Sequence, residues 1–508
     1  MKARKNIIFI YIGLWFLINL LFLDRFPFMH SDESWLAGLT REMMQNGLNS
    51  TEPFFDLLPR YPHAIKLLFH LLQMPFLAAF GYSLFSVRLI SLLFGALTLA
   101  VFYGLARLLT KKRGFSLAFT VILSLDIQFL YASHTARQDI IIAFGILAAV
   151  YYVFKNLGAW SLKKDVLTGA LVGVFIGVHP NSLMVAFAAG AAYLYGILQK
   201  KLRLKNLLVL VGTVAGFAAV FVLLSLSFDP QFFAHYARYG GELGVAQTLA
   251  EKLRAFPEYF LKLFLQISGT YYTPFIKPQL ILFGAVALFL LASAFRKREA
   301  LQTLLPFLAV VAAILLIGRY SQPAVIVLFP LGYLMALSRI DLPPKRVGAA
   351  GVALLGILIA LLSFFSVRPY LNDDYKAYLA ELRESVPAGA RTLANLNAEF
   401  AFERGALLDY RNLQYMEEQG LTFAEYVEKK GVEYIVYPAE MDFIYAKRPV
   451  YNILYGNLYP YYEEVQRFLE ERCTRVAAFT SPYAMRIPRY MYEGAWEVRV
   501  YRVEGEKP

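Results

Sequence analysis

The sequence predicts a polytopic α-helical membrane protein that carries a C-terminal α/β domain outside the membrane. Three observations lead there. The 508 residues are 58% hydrophobic and only 17% charged, with a mean hydropathy of +0.49. Soluble globular chains average about 45–50% apolar and about 25% charged residues. Apolar runs of roughly 20 residues, the length that crosses a bilayer as a helix, recur up to Val367. Beyond Val367 no such run remains, and Glu, Arg and Tyr become frequent.

Taken in order, the predicted spans are 7–23, 89–106, 115–131, 140–154, 166–178, 182–198, 206–227, 279–295, 301–317, 321–338 and 347–366. The net charge of +13 is not read as a nucleic-acid signal. Lys and Arg cluster in the short loops 111–113, 155–164, 200–205, 296–298 and 339–346. About eleven crossings put all of these loops on one face, and positive loops stay inside. The N-terminus is then inside and the C-terminus outside, in a cytoplasmic (plasma) membrane. The first apolar run resembles a signal peptide, but Asp24-Arg25-Phe26-Pro27 follows it rather than a small-residue cleavage site. It is read as a retained span.

Two apolar stretches stay out of the count. Residues 64–80 carry Lys66, His70, Gln73 and Pro75, and 256–273 carry Glu258 and Lys262. Counting 64–80 as a crossing would move Lys111-Lys112-Arg113 outside, so both are read as amphipathic helices in the outer interface. Residues 166–199 are too long for one span, and basic residues flank both ends. Proline ends a helix at or before the residue ahead of it. The turn therefore falls at His179-Pro180-Asn181, on the outer face. His179 there is either a plain turn residue or part of a site.

Residues 1–367 thus form the membrane domain and 368–508 the outer domain. About 140 residues are enough for an independent core. Strand patterns lie at 432–437, 474–480 and 496–503, and helical patterns at 373–385 and 461–472.

The chemistry concentrates in two outer loops. The first, 24–63, holds Asp32-Glu33 ahead of Trp35, Leu36, Leu39 and Met43, with Gly47 as a helix stop. Helix capping explains one carboxylate at such a place. It does not require two, and a capped carboxylate can also be catalytic. The second loop is Ser133-His134-Thr135-Ala136-Arg137-Gln138-Asp139. Its Arg and Asp are either a local ion pair of little worth or a working pair. In the second case Arg137 grips a phosphate oxygen with its planar fork, and Asp139 orients an acceptor, a sugar or a metal. Asp126 sits in an apolar run, where ionisable residues usually face a cavity. Its alternative is a short reach to water at the outer end.

His30, Arg60, His63, Lys66, Arg88, Tyr271, Tyr272, Lys277 and Arg319 also fall on the outer face. Cations are scarce there under the positive-inside bias. As a group they invite an anionic ligand such as a lipid phosphate; any one of them could simply snorkel. Cys473 is the only cysteine, which excludes an intramolecular disulfide and a Cys-rich metal site. P-loop, nucleophile-elbow and H-E-x-x-H motifs are missing. His30 and His63 with Asp32 and Glu33 could hold a divalent metal, but none is required by the spacing.

Asp32-Glu33 after the first span, the run Phe80-Gly81-Tyr82-Ser83-Leu84-Phe85-Ser86-Val87-Arg88-Leu89, and Ala136-Arg137-Gln138-Asp139-Ile140 together carry a resemblance. Over roughly residues 1–200 the chain resembles integral-membrane glycosyltransferases of the C-type fold, in the protein O-mannosyltransferase and aminoarabinose-transferase group. It has His179-Pro180 where members often have Lys-Pro. The resemblance implies a polyprenyl-phosphate sugar donor and a protein, lipid or glycan acceptor at the outer face, with no nucleic acid. It implies Asp32, with Glu33 as helper, as the catalytic base, and Asp139 as a second acidic site. Arg137, Arg60, Lys66, Arg88 and His179 would serve the donor phosphate, and the anomeric centre would invert. Two alternatives stay open: a lipid-linked glycan polymerase or ligase, and a transporter of lipid-linked glycans. Transporters place their sites near the midplane, often with inverted repeats, and neither feature is visible here.

Overall fold

A computed structural model describes residues 7–57, 60–242, 247–267, 270–295, 298–318, 321–339, 345–486 and 496–504. Each of the eleven expected spans contains a helix. They are α1 (Ile7–Leu20), then α2 (Ser31–Asn46) and α3 (Leu67–Phe80) in the first loop, α4 (Leu84–Thr110), α5 (Arg113–Leu125) with α6 (Ile127–His134), α7 (Asp139–Asn156), α8 (Leu162–Val174), α9 (Leu183–Leu198) and α10 (Leu204–Phe228). After α11 (Phe232–Glu242) and α12 (Leu249–Phe264) come α13 (Lys277–Ala294), α14 (Leu301–Ile317), α15 (Phe329–Leu337) and α16 (Lys345–Val367). Among the described residues, seven helical segments are long and apolar enough to cross a membrane, or eight if the bent pair α5–α6 is one span.

The bend of 61° between α5 and α6 falls at Asp126. This residue does not reach water, as one reading had it. Its fully buried carboxylate caps α6 by accepting the Gln128 N–H (2.8 Å), and it accepts from Gln279 (2.9 Å) and from the Tyr333 hydroxyl (2.7 Å). A break in a helix exposes backbone donors, and a carboxylate at the break satisfies them.

Helix α3 starts beside Lys66, in the same cavity as Asp32, and ends at Gly81, next to the start of α4. With 14 residues, α3 is one of the shorter apolar helices and falls below span length. Its His70 and Gln73 are fully buried, and the Thr40 hydroxyl of α2 meets His70 Nδ1 at 2.8 Å and Gln73 Oε1 at 2.5 Å. Helix α12 likewise stays at the outer ends of its neighbours: Tyr259 donates to the Ser321 carbonyl (3.1 Å) and Lys252 to that of Leu316 (2.8 Å). The His179 turn appears where proline dictates, between α8 and α9, as a short 3-10 turn over Pro180–Ser182.

The C-terminal segment begins with α17 (Tyr375–Ser385) and builds one five-stranded sheet. Its strands are β1 (Thr392–Ala394), β2 (Leu407–Asp409), β3 (Tyr434–Pro438), β4 (Cys473–Ser481) and β5 (Trp496–Val503), in the order β2-β1-β3-β5-β4. The β1–β2 and β1–β3 pairs are parallel, and β3–β5 and β4–β5 antiparallel. Side chains alternate between faces with period two. Leu393, Ile435 and Tyr437 face a core of the domain's own, which also takes in Leu57 of the first loop. Ala394, Val436, Val498 and Val500 join the core shared with the membrane helices. The independent core expected for this domain is therefore only half its packing.

Polar ties complete the docking. Ser34 donates to the Leu396 carbonyl (2.6 Å), Asn412 Nδ2 to that of Phe54 (3.0 Å), and Lys430 pairs with Asp56 (3.0 Å). Arg41 of α2 pairs with the buried Glu399, which also accepts from the Tyr82 hydroxyl (3.1 Å). Burial pushes the Glu399 carboxyl up to about 8, against the pull of Arg41 and Tyr82. The raised value means that this group's contribution to stability is full below its unfolded pKa, near 4.5, and is lost as pH rises through about 8. Melting temperatures of the detergent-purified protein should fall over that window, by at most about 1.4 kcal/mol of stability per pH unit. In Glu399→Gln that slope should vanish; an unchanged slope would assign it to other groups.

Candidate active site

The site starts at the N-terminus of α2. His30 caps the helix: its Nδ1 accepts the Asp32 N–H (3.0 Å), and Glu33 returns a bond by accepting the His30 N–H (3.0 Å). Two acidic residues in a first turn also favour the positive helix end. Successive residues on a helix are about 100° apart, so the two carboxylates part company. Asp32 faces an open cavity. Glu33 turns into the protein and is 0% exposed.

Glu33, expected to assist as a base, and Arg88, expected to bind donor, are placed against each other instead. Arg88 is also 0% exposed. It grips Glu33 by two bonds, Nε–Oε2 and Nη2–Oε1, each 2.8 Å, and its Nη1 donates to the Leu23 carbonyl (2.8 Å). Glu33 Oε2 accepts the Ala136 N–H as well (2.7 Å). Glu33 thus fastens the second loop to the first, and neither residue lines the cavity.

Fastened there, Arg137 bridges two carboxylates. Its Nε donates to Asp139 Oδ2 (3.1 Å) and its Nη1 to Asp32 Oδ2. Tyr271, from the loop before α13, donates to the same Asp32 oxygen (2.6 Å), accepts from Arg137 (3.0 Å) and stacks on His30 at 4.1 Å. Asp139 is buried behind Arg137 and does not line the cavity. It orients Arg137, so a direct hold on acceptor, sugar or metal does not fit its place. Burial would raise the Asp32 carboxyl, but Arg137, His30, the Tyr271 hydroxyl and Arg411 together hold it well below the usual carboxylate range. Among the described residues Asp32 Oδ1 accepts no hydrogen bond and is the oxygen open to a ligand.

Cations line the cavity too. Arg60, Lys66 and Arg137 line the cavity as expected, with His63 and His179. Arg60 pairs with Glu52 (3.0 Å) and lies over Trp35 and Tyr239 at 5.1 and 4.8 Å. Burial, with Lys66 and Arg60 adding to it, pushes the His63 imidazole down to about 3. Burial likewise brings His30 to about 4, so both are neutral at pH 7. His179 Nδ1 accepts the Asn181 N–H (3.0 Å). His30 lies outside the cavity lining, apart from His63. Among the described residues no three His, Cys, Asp or Glu side chains gather as a candidate metal site, and His30 and His63 do not share the cavity lining. Tyr272 packs in the core against Phe26 and Tyr131, and Arg319 lies outside the described residues.

Helix α11 was not foreseen. Phe232, His235, Tyr236 and Tyr239 recur at i, i+3, i+4 and i+7 and line the cavity with Arg238. His235 pairs with Asp229 (2.7 Å) and stacks on Tyr61 at 3.3 Å. That periodicity was readable in the sequence; Gly240-Gly241 and the shortness of the run obscured it.

A bent helical bundle whose cavity is lined by a carboxylate and cations, followed by a small sheet domain, is the architecture of the C-type glycosyltransferase fold. The chain is an integral-membrane protein of that fold. A family model described as dolichyl-phosphate-mannose-protein mannosyltransferase matches residues 63–225. Among solved structures, ArnT from Cupriavidus metallidurans in the apo state is similar with a TM-score of 0.56 at 14% identity, covering 99% of this chain and 100% of that one. The same enzyme bound to undecaprenyl phosphate gives 0.54 at 14% identity, with 98% of each chain covered. The oligosaccharyltransferase of Archaeoglobus fulgidus in complex with zinc and sulfate gives 0.50 at 12% identity, covering 89% of this chain and 70% of that one. No curated protein matches the sequence.

Proposed function

We propose that this protein transfers a sugar from a polyprenyl-phosphate donor to an acceptor hydroxyl at the outer face of the membrane, with inversion. The observation that carries the reading is the cavity itself: Asp32, with one carboxylate oxygen that accepts no hydrogen bond among the described residues, lines it together with Arg60, Lys66 and Arg238. A hydroxyl is a weak nucleophile at neutral pH, and a carboxylate within hydrogen-bond reach can take its proton during attack. The departing phosphate gathers negative charge, which fixed cations stabilise. The likeness to ArnT bound to undecaprenyl phosphate supports such a donor.

Arg137 has a second part in this scheme. While it pairs with Asp32, that carboxylate is a feeble base. An incoming phosphate competes for the guanidinium and frees Asp32 only when donor is present. Asp139 keeps Arg137 in place during the exchange. The basic loops 111–113, 155–164 and 200–205 support an outside location for the cavity and the C-terminal domain under the positive-inside bias.

The test is reconstitution of the purified protein in liposomes with radiolabelled polyprenyl-phosphate sugars and a mixture of protein, lipid and glycan acceptors. Label leaving the polyprenyl phosphate for an acceptor supports the transferase. Label that crosses the bilayer still attached to its lipid would instead identify a transporter. The reading includes no metal, since every group in the scheme is a side chain. EDTA should leave the transfer rate within about twofold, where metal-dependent charge stabilisation is worth several kcal/mol; a collapse that manganese or magnesium restores would contradict it.

A further inference from the structure

The first turn of α2 is tethered at three consecutive residues behind Asp32. Glu33 is held by Arg88. Ser34 donates to the Leu396 carbonyl of the C-terminal domain (2.6 Å). Trp35 has the Arg411 guanidinium over its ring at 5.0 Å, and Arg411 also comes from the C-terminal domain.

Arg411 reaches that position because the chain behind it is fixed. It follows β2 in the short turn Tyr410–Asn412, which Asp409 caps by accepting the Arg411 N–H (2.8 Å). Asp409 also sits 3.4 Å from Arg411 Nε. Asp409 is 0% exposed, and its other oxygen accepts from Arg486 and from the Leu396 N–H (3.0 Å). From this anchor the guanidinium lies 4.5 Å over Phe55 as well as over Trp35. Its Nη2 is buried without a hydrogen-bond partner. Plain packing does not explain that arrangement, because an apolar side chain would fill the space without a buried donor left unmet. A cation laid on aromatic faces does explain it.

We propose that Arg411 is a positioning residue for the transfer reaction, by which the C-terminal domain holds Trp35 and, through it, the turn of α2 that aims Asp32. This rests on the assignment of Asp32 as the base. Trp35 is three residues from Asp32, nearly one helical turn. Arg60 rests on the same ring from the cavity side, so the indole is gripped by both halves of the protein. The charge of Arg411 also adds to those that keep Asp32 ionised. The outer domain is then a component of the catalytic centre and not only a cover over it.

The experiment uses the full-length protein in liposomes with its polyprenyl-phosphate donor. In Arg411→Gln, kcat should fall about tenfold or more, since a base displaced by about 1 Å loses on the order of a hundredfold. The donor KM should stay within about threefold, because Arg60, Lys66 and Arg238 are untouched. Arg411→Lys keeps the charge but has no planar group to lie on the indole, and should fall between Arg411→Gln and the parent. Lys429→Gln, on an exposed helix of the same domain, should match the parent. A parental kcat in Arg411→Gln overturns the proposal. So does a kcat loss that follows the melting temperature, with Arg411→Lys no better than Arg411→Gln. If Arg411→Gln does not accumulate, Arg411→Lys decides: parental kcat rejects the stacking role, and lowered kcat at unchanged donor KM and melting temperature supports it. An active Asp32→Asn would remove the base assignment while leaving the Arg411 comparison readable; an inactive Asp32→Asn with unaffected Arg411→Gln would remove the Arg411 role alone.

Discussion

Asp32→Asn is expected to lower sugar transfer by about 10²–10⁴-fold, the span that a positioned general base contributes, while the protein still folds and inserts. The substitution keeps shape and removes the lone pair that takes the acceptor proton. Folding should survive because the Asp32 side chain is 22% exposed, and Arg137 retains Asp139 and Tyr271 as partners. The donor KM should hold or fall, since Arg137 no longer has the Asp32 carboxylate to leave when phosphate arrives. Single-turnover assays with labelled donor read kcat and KM separately. Turnover within about tenfold of the parent would take the base role away from Asp32.

Glu33→Gln, one residue along, should have the opposite signature. It leaves the Arg88 guanidinium, 0% exposed, without a counter-charge. Removing one partner of a buried pair costs about 3–5 kcal/mol, a large part of the roughly 5–15 kcal/mol that holds a domain folded. The loss should appear as low membrane yield and a lowered melting temperature, with activity falling in proportion to folded protein. Glu33→Gln combined with Arg88→Met should regain part of the stability, because the orphan charge is gone. A well-folded but inactive Glu33→Gln would instead return Glu33 to the reaction. The two neighbours thus separate chemistry from scaffold by the same amide substitution.

Much of this architecture could be read along the chain. The His179-Pro180 turn and strands β3, β4 and β5 fall within a residue or two of their expected bounds, and every expected span contains a helix, although α4, α8 and α15 begin four to eight residues from where they were expected. Each rests on a local signal: apolar length, proline, or period-two alternation. Strands β1 and β2, three residues each, are defined by their partners and leave no such signal. For the cavity, the sequence picked out Asp32, Arg137, Arg60, Lys66, His63 and His179, all of which line it or bridge to it. It missed Arg238 and the aromatic face of α11.

The sequence by itself determined that the chain carries many apolar segments of membrane-crossing length and set Asp32-Glu33 and Arg137-Asp139 in the loops between them. Hydrophobic length and charge are properties of the covalent chain, so they are legible before folding. Only the tertiary structure decided which member of Asp32-Glu33 opens to the cavity and which is buried in the scaffold. That choice depends on Arg88, 55 residues away, and on the Ala136 N–H, 103 residues away. These partners desolvate and fill one carboxylate completely and leave the other an open oxygen. A carboxylate's reactivity is set by what surrounds it, and its surroundings are assembled only when distant segments meet.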